Sequence, residues 1–244
     1  MSSPVGDMNL SKLLSLPLEL RQQIYSHLMP AQTTPRPIPG AGINAVSHRG
    51  PRLGLLLVNR QLTAEALDYY FSVATWKIIL DHEFNYFRND PELRGLAAWS
   101  HVSRIQKIEI VFFCNLFLLK EYPSFGQEQY YAEIKRRATR ACEIFESIPD
   151  LRKVSVSFID TIRSRGFEHK AALVEPVRIL KDKVDFDIGQ ISGICEEDLD
   201  VFVKAMQTSL GVNPASDQQP VISPRERLTG ELNEAPNMVP AIDS

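Results

Sequence analysis

Cysteine is scarce in this sequence. Cys114, Cys142 and Cys195 lie far apart, are odd in number and form no CxxC pair. That usage excludes a disulfide framework and fits free thiols in a reducing compartment, so a cytoplasmic or nuclear setting is expected. Long apolar runs are missing too. The longest, VFFCNLFLL at 111–119, is broken by Asn115 and falls short of the roughly 18–20 residues a membrane helix needs. The first ten residues, MSSPVGDMNL, lack the basic-then-apolar signature of a signal peptide. Nor is there an excess of positive charge. The net charge is -3, and all of it resides in residues 211–244, leaving a neutral body. General nucleic-acid binding requires a basic surface that neutralises phosphates, so neither nucleic acid nor membrane is an expected partner.

Catalytic signatures are equally absent. No glycine-rich phosphate loop, GxSxG or HExxH occurs. The histidines His27, His48, His82, His101 and His169 are isolated from one another and from the cysteines, so no metal motif and no cofactor site is expected. The basic run KRRATR at 135–140 shares its segment with Glu133 and Glu143 and reads as a solvated helical face. The expectation is a chain that is not an enzyme; scattered polar residues converging in a deep pocket would be needed to change it.

What is present is a hydrophobic content of 44 %, enough for a sizeable core, in a chain of 244 residues. The stretch LPLELRQQIYSHL predicts a helix over about 16–29, with Pro17 in its first turn and Pro30 ending it. Leu16, Leu20, Ile24 and Leu28 recur four residues apart along one side. Residues 30–52 are rich in Pro and Gly and read as an irregular loop. A second helix is predicted over about 53–72, its apolar face formed by Leu55, Val58, Leu62, Ala66 and Tyr69.

Beyond residue 73 the period changes. KIEIVFF from Lys107, KVSVSFI from Lys153 and KVDFDI from Lys183 alternate strictly, and a shorter copy, KIIL, starts at Lys77. Period two with a polar opposite face predicts half-buried strands. Helical stretches at 91–102, 127–148 and 167–180 precede the three clear copies, Pro176 shortening the last. Ile78 to Ile108 and Val154 to Val184 are both 30-residue steps, and the 46 residues from Ile108 to Val154 allow one 16-residue insertion. A unit repeating at that interval predicts an α/β chain (α+β the alternative) with a short helix–strand array and a small, mostly parallel sheet. A closing helix is expected at 196–210. The organisation is then residues 1–9 disordered, a helical module at 10–73, a repeat-like domain at 74–210 and a disordered tail at 211–244.

One polar surface and one apolar insertion join the apolar helix ridge as candidate contacts. The outward strand residues Lys107, Glu109, Lys153, Ser155, Lys183 and Asp185 form a sheet face of balanced charge, either a binding surface or plain solvated surface. The apolar insertion at 114–129 is expected to fold back on the core.

LPLELRQQIYSHL resembles the first helix of an F-box, with its Leu-Pro pair and apolar residues along a helix. LLLVNRQLTAEALDYYF is similar to the segment that follows in a group of fungal F-box-like proteins, which read approximately LPxELRxxIY…LLxVCRQxxxEA and lead into divergent leucine-rich-repeat-like units. The resemblance covers about residues 14–73. It implies a helical module that binds the Skp adaptor of a cullin-RING ubiquitin ligase through Leu16, Pro17, Leu20, Ile24 and Leu28, with the following domain holding a target protein. The alternative is a stand-alone scaffold in which these helices are only a structural cap.

Overall fold

The fold was analysed in a computed structural model that describes residues 12–32, 36–81, 90–115, 126–161 and 167–212. The expected disorder at 1–9 and in the C-terminal tail beyond residue 212, and most of the insertion at 114–129, lie outside the described residues. The chain is a mixed α/β structure built on a five-stranded sheet with order β1-β2-β3-β4-β5. Helix α1 (Leu18–Leu28) comes first, then strand β1 (Ala45–Val46), helices α2 (Leu53–Leu56) and α3 (Arg60–Val73), and strand β2 (Trp76–Leu80). Helix α4 (Arg94–Ala98), β3 (Lys107–Cys114), α5 (Gln127–Glu146) and β4 (Lys153–Asp160) follow. The last part is α6 (Phe167–Ala171), a 3-10 segment (Ala172–Leu180), β5 (Asp185–Ser192) and α7 (Glu196–Leu210). Among the described residues, no helix is long and apolar enough to cross a membrane.

Strands β2 to β5 are parallel and each pairs with the next in sequence, while β1 adds an antiparallel edge. Successive parallel neighbours joined by right-handed crossovers place every connecting helix on the same face. The buried side chains agree. Ile78, Ile110, Phe112, Val154, Val156 and Phe158 share one core cluster with Ile134 and Phe145 of α5, Val174 and Val177 of the 3-10 segment, and Phe202 and Met206 of α7. Phe112 stacks on Phe158 at 6.4 Å, and Phe202 meets Phe158 edge-on at 5.0 Å, so α7 closes the β4–β5 end. At the β2 end Trp76 lies between Phe71 of α3 and Trp99, at 5.3 and 5.1 Å. Tyr25 of α1 and Met29, which follows its last residue, belong to the same cluster, so helices and sheet share a continuous core across residue 73.

Several sequence expectations are corrected in detail. The helix expected over 53–72 is two: it breaks after Leu56 and restarts at Arg60, where Asn59 Oδ1 accepts the Gln61 backbone N–H at 2.8 Å. An N-cap side chain satisfies a donor that the first turn of a helix cannot satisfy itself, which fixes the restart. The stretch over 167–180 is a short α-helix that continues as a 3-10 segment carrying Pro176. The repeat step is 32 residues rather than 30, because Ile78 faces Ile110 and Val154 faces Phe186. A slip of two keeps every side chain on its expected face, since faces alternate with period two. Residues 30–52 are not wholly irregular. Asn44 and Ser47 donate their backbone N–H groups to Lys77 and Thr75, which builds β1, and Ile38 bridges to Ile43.

Candidate docking surface

Helix α1 turns toward the core a face one stripe away from the leucine ridge. Arg21, Tyr25 and Met29, four residues apart, are buried. The side chains expected to meet a partner lie beside that stripe: Leu20 is 44 % and Leu28 45 % exposed, Leu18 is equally open, and Leu16 and Ile24 are half-buried. Pro17 is exposed and sits just before the first helical residue in an extended conformation, so it starts the helix from outside rather than from within its first turn.

A buried polar knot fixes this helix to α3. The Arg21 guanidinium grips the Glu65 carboxylate with two bonds, Nε to Oε2 at 2.7 Å and Nη2 to Oε1 at 2.9 Å. Glu65 also accepts from the Tyr25 hydroxyl at 3.1 Å and from Gln61 Nε2 at 2.9 Å. The third guanidinium nitrogen, Nη1, donates to the backbone carbonyls of Leu14 and Leu16 and so pins the chain ahead of Pro17. A bidentate Arg–carboxylate pair is among the more directional contacts a protein has, and it sets both the spacing and the rotation of the two helices. The Arg21 hydrogen bond holds the Glu65 carboxyl below its ordinary range, and burial raises the Tyr25 phenol. Sequence reasoning missed this knot because Arg21 and Glu65 are 44 positions apart. The available signal was the recurring pattern itself: its Arg, Tyr, Gln and Glu letters are the four members.

A second exposed apolar group follows the loop. Leu53 and Leu57 are 69 % and 74 % exposed, and Val58 is open as well, although Val58 was expected on the inner face. The short α2 and the break before Asn59 turn these three outward.

On the polar sheet face the strand residues fall into two cross-strand rows. Lys107, Lys153 and Asp185 stand in register across β3, β4 and β5, as do Glu109, Ser155 and Asp187. Lys183 is not among them. It precedes β5, and its ammonium donates to the Glu146 backbone carbonyl. Glu109 pairs with Lys77 at 3.0 Å and accepts from Ser157 Oγ at 2.9 Å, while Lys153 pairs with Asp187 at 3.1 Å. Ser157 and Val111 on this face are buried. The charges of the face largely neutralise one another.

A buried polar group escaped sequence reasoning at the carboxyl ends of the parallel strands. Lys170 donates to Asp160, and both are almost fully buried. The Tyr130 hydroxyl accepts the Asn115 N–H at 2.8 Å and lies 3.3 Å from Asp81 Oδ1. Arg137 of the KRRATR run is buried and donates to the Asp81 carbonyl at 2.6 Å, whereas Lys135, Arg136 and Arg140 are surface residues paired with carboxylates. Among the described residues, no group of three or more His, Cys, Asp or Glu is placed to hold a metal ion.

No protein-family model matches the chain, no curated protein matches its sequence, and no solved structure matches its fold at a significant level.

Proposed function

We propose that this chain is a non-enzymatic, F-box-like interaction protein. Its α1 ridge docks a Skp-type adaptor of a cullin-RING ubiquitin ligase, and the βα sheet domain presents a target-binding surface. The observation that supports this reading is the division of labour on α1. Its buried stripe is tied to α3 by the Arg21–Glu65 knot, while Leu18, Leu20 and Leu28 stay exposed on a helix that the knot holds rigid. Covering each half-exposed leucine would contribute about 1 kcal/mol, so a partner that also covered Leu53, Leu57 and Val58 would gain several. An apolar helix face laid into a groove is a recurring mode of recognition. The resemblance in the sequence supplies the partner's identity.

The sheet face is the target side. Lys107, Glu109, Lys153, Ser155 and Asp185 lie together there, and Lys183 falls outside the group. The alternative, a stand-alone scaffold with a helical cap, draws on the continuous core that joins α1 to the sheet. The test is binding of a purified Skp-type adaptor to the full chain. The docking reading expects a stable complex that the Leu20→Lys/Leu28→Lys pair abolishes while circular dichroism stays native. The scaffold reading expects no complex.

A further inference from the structure

Residues 30–52 do more than link two helices. Where the loop folds against β1 and α3 it leaves a cleft of about 290 Å³. Arg36, Arg49 and Arg52 line it, with Gln32, His48 and the hydroxyl of Tyr70, and no Asp or Glu is among the lining residues. This is a local excess of three positive charges in a chain whose net charge is -3. Elsewhere in the fold Arg21, Arg104, Arg136, Arg137 and Arg140 each pair with a carboxylate. Arg36, Arg49 and Arg52 pair with none among the described residues. Three exposed arginines bordering one cleft, with no acidic residue in its lining, leave it with uncompensated positive charge that an anion would offset.

The second observation is Tyr70. Its side chain is 9 % exposed, wedged edge-on against Phe71 and Trp76 at 5.6 and 5.7 Å. A Cβ at Gly50 would stand 3.7 Å from the Tyr70 hydroxyl oxygen, so the hydroxyl lies over the loop backbone beside Arg49. Among the described residues that hydroxyl has no hydrogen-bond partner, and the residue borders the cleft. Its ring is packed while its hydroxyl oxygen is not one of the buried unpartnered atoms, so the O–H is free to donate to an acceptor in the cleft. Burial pushes the phenol up to about 12, so it keeps its proton at neutral pH. His48 Nδ1 is engaged by Ser47 Oγ at 2.9 Å, and burial together with the charge of Lys107 holds the ring below its ordinary range.

We infer that this cleft binds a phosphoryl group through Arg36, Arg49, Arg52 and the Tyr70 hydroxyl. A carboxylate is satisfied by a single guanidinium fork, whereas three forks and an O–H donor match the several oxygens and higher charge of a phosphate. The volume exceeds one phosphate and lies at the small end of ligand pockets, so the group arrives attached to something compact. None of its lining residues belongs to the α1 ridge.

Calorimetric titration of the full chain at low ionic strength tests this, with pyrophosphate and O-phospho-L-serine as phosphorylated probes and acetate as the carboxylate control. At least one phosphorylated probe binds saturably and about tenfold or more tighter than acetate. Tighter pyrophosphate binding marks a free phosphorylated ligand; tighter phosphoserine binding marks a phosphoryl group carried on an amino acid. Arg49→Ala/Arg52→Ala weakens binding roughly tenfold or more, as expected for lost charge-assisted bonds. Tyr70→Phe, which keeps the ring packing, weakens it about three- to tenfold with an unchanged near-ultraviolet circular-dichroism spectrum. Phosphorylated probes no tighter than acetate, or a double-arginine variant that binds like the parent, would overturn the assignment.

Discussion

Glu65 accepts bonds from Arg21, Tyr25 and Gln61, and those four side chains do for the two N-terminal helices what an apolar seam does elsewhere. Removing one member strands the others in a partly dry site, which is costlier than losing a surface contact. Arg21→Ala should therefore lower the melting temperature by roughly 4–8 °C, whereas Leu20→Lys, on the outward stripe of the same helix, should shift it by no more than about 1–2 °C. Thermal scans of the two variants check this, and equal losses would mean that Leu20 is a core residue. A second carboxylate gives a pH prediction. Hydrogen bonds from Arg136 and then Arg137 hold Glu133 down to about 2, against an ordinary value of 4.5. A depressed folded pKa contributes stability that is complete above the unfolded value and fades as pH falls toward the folded one. The Glu133 contribution is thus intact above about pH 4.5 and lost progressively toward pH 2; carbon-detected NMR titration of its carboxyl should show an inflection near 2. In Glu133→Gln this acid-dependent part should disappear.

The helices and strands show where a sequence is legible. Strand faces were readable because alternation is a local property: Ile108, Ile110, Phe112, Val154, Val156 and Phe158 all lie inward. Register was not readable, because sliding by two leaves every face unchanged and only the pairing in space decides between steps of 30 and 32. Helix α1 was legible as a helix, but not in rotation. Its apolar ridge was plain, yet the inward stripe is Arg21, Tyr25 and Met29, and a buried arginine becomes intelligible only when Glu65 is brought to it. The break between α2 and α3 was hidden behind an unbroken apolar pattern. Asn59 was its only sign, since short polar side chains cap helices better than they continue them. Asn59→Ala should cost about 1 kcal/mol, measured by urea unfolding, with the slope unchanged. A loss below about 0.3 kcal/mol would show that the break does not depend on the cap. The cleft in residues 30–52 left no periodic signal, because its lining residues border it through the loop's pairing with β2 rather than by spacing.

The molecule as a whole has a clear polarity. One sheet face carries the helices and the continuous core, the other presents paired charges, and the N-terminal helices stand at the β2 end with leucines left in solvent. A single exposed leucine is common on any protein; here Leu18, Leu20 and Leu28 are exposed on one helix. Under the proposed adaptor-docking function these leucines are the contact, carried on a helix that the Arg21–Glu65 pair ties to α3. The most direct measurement is titration of the full chain with a purified Skp-type adaptor, beside the Leu20→Lys/Leu28→Lys variant. The account predicts saturable binding by the parent chain and at least hundredfold weaker binding by a variant that melts within about 2 °C of the parent. An adaptor that binds neither chain, or both alike, would contradict it.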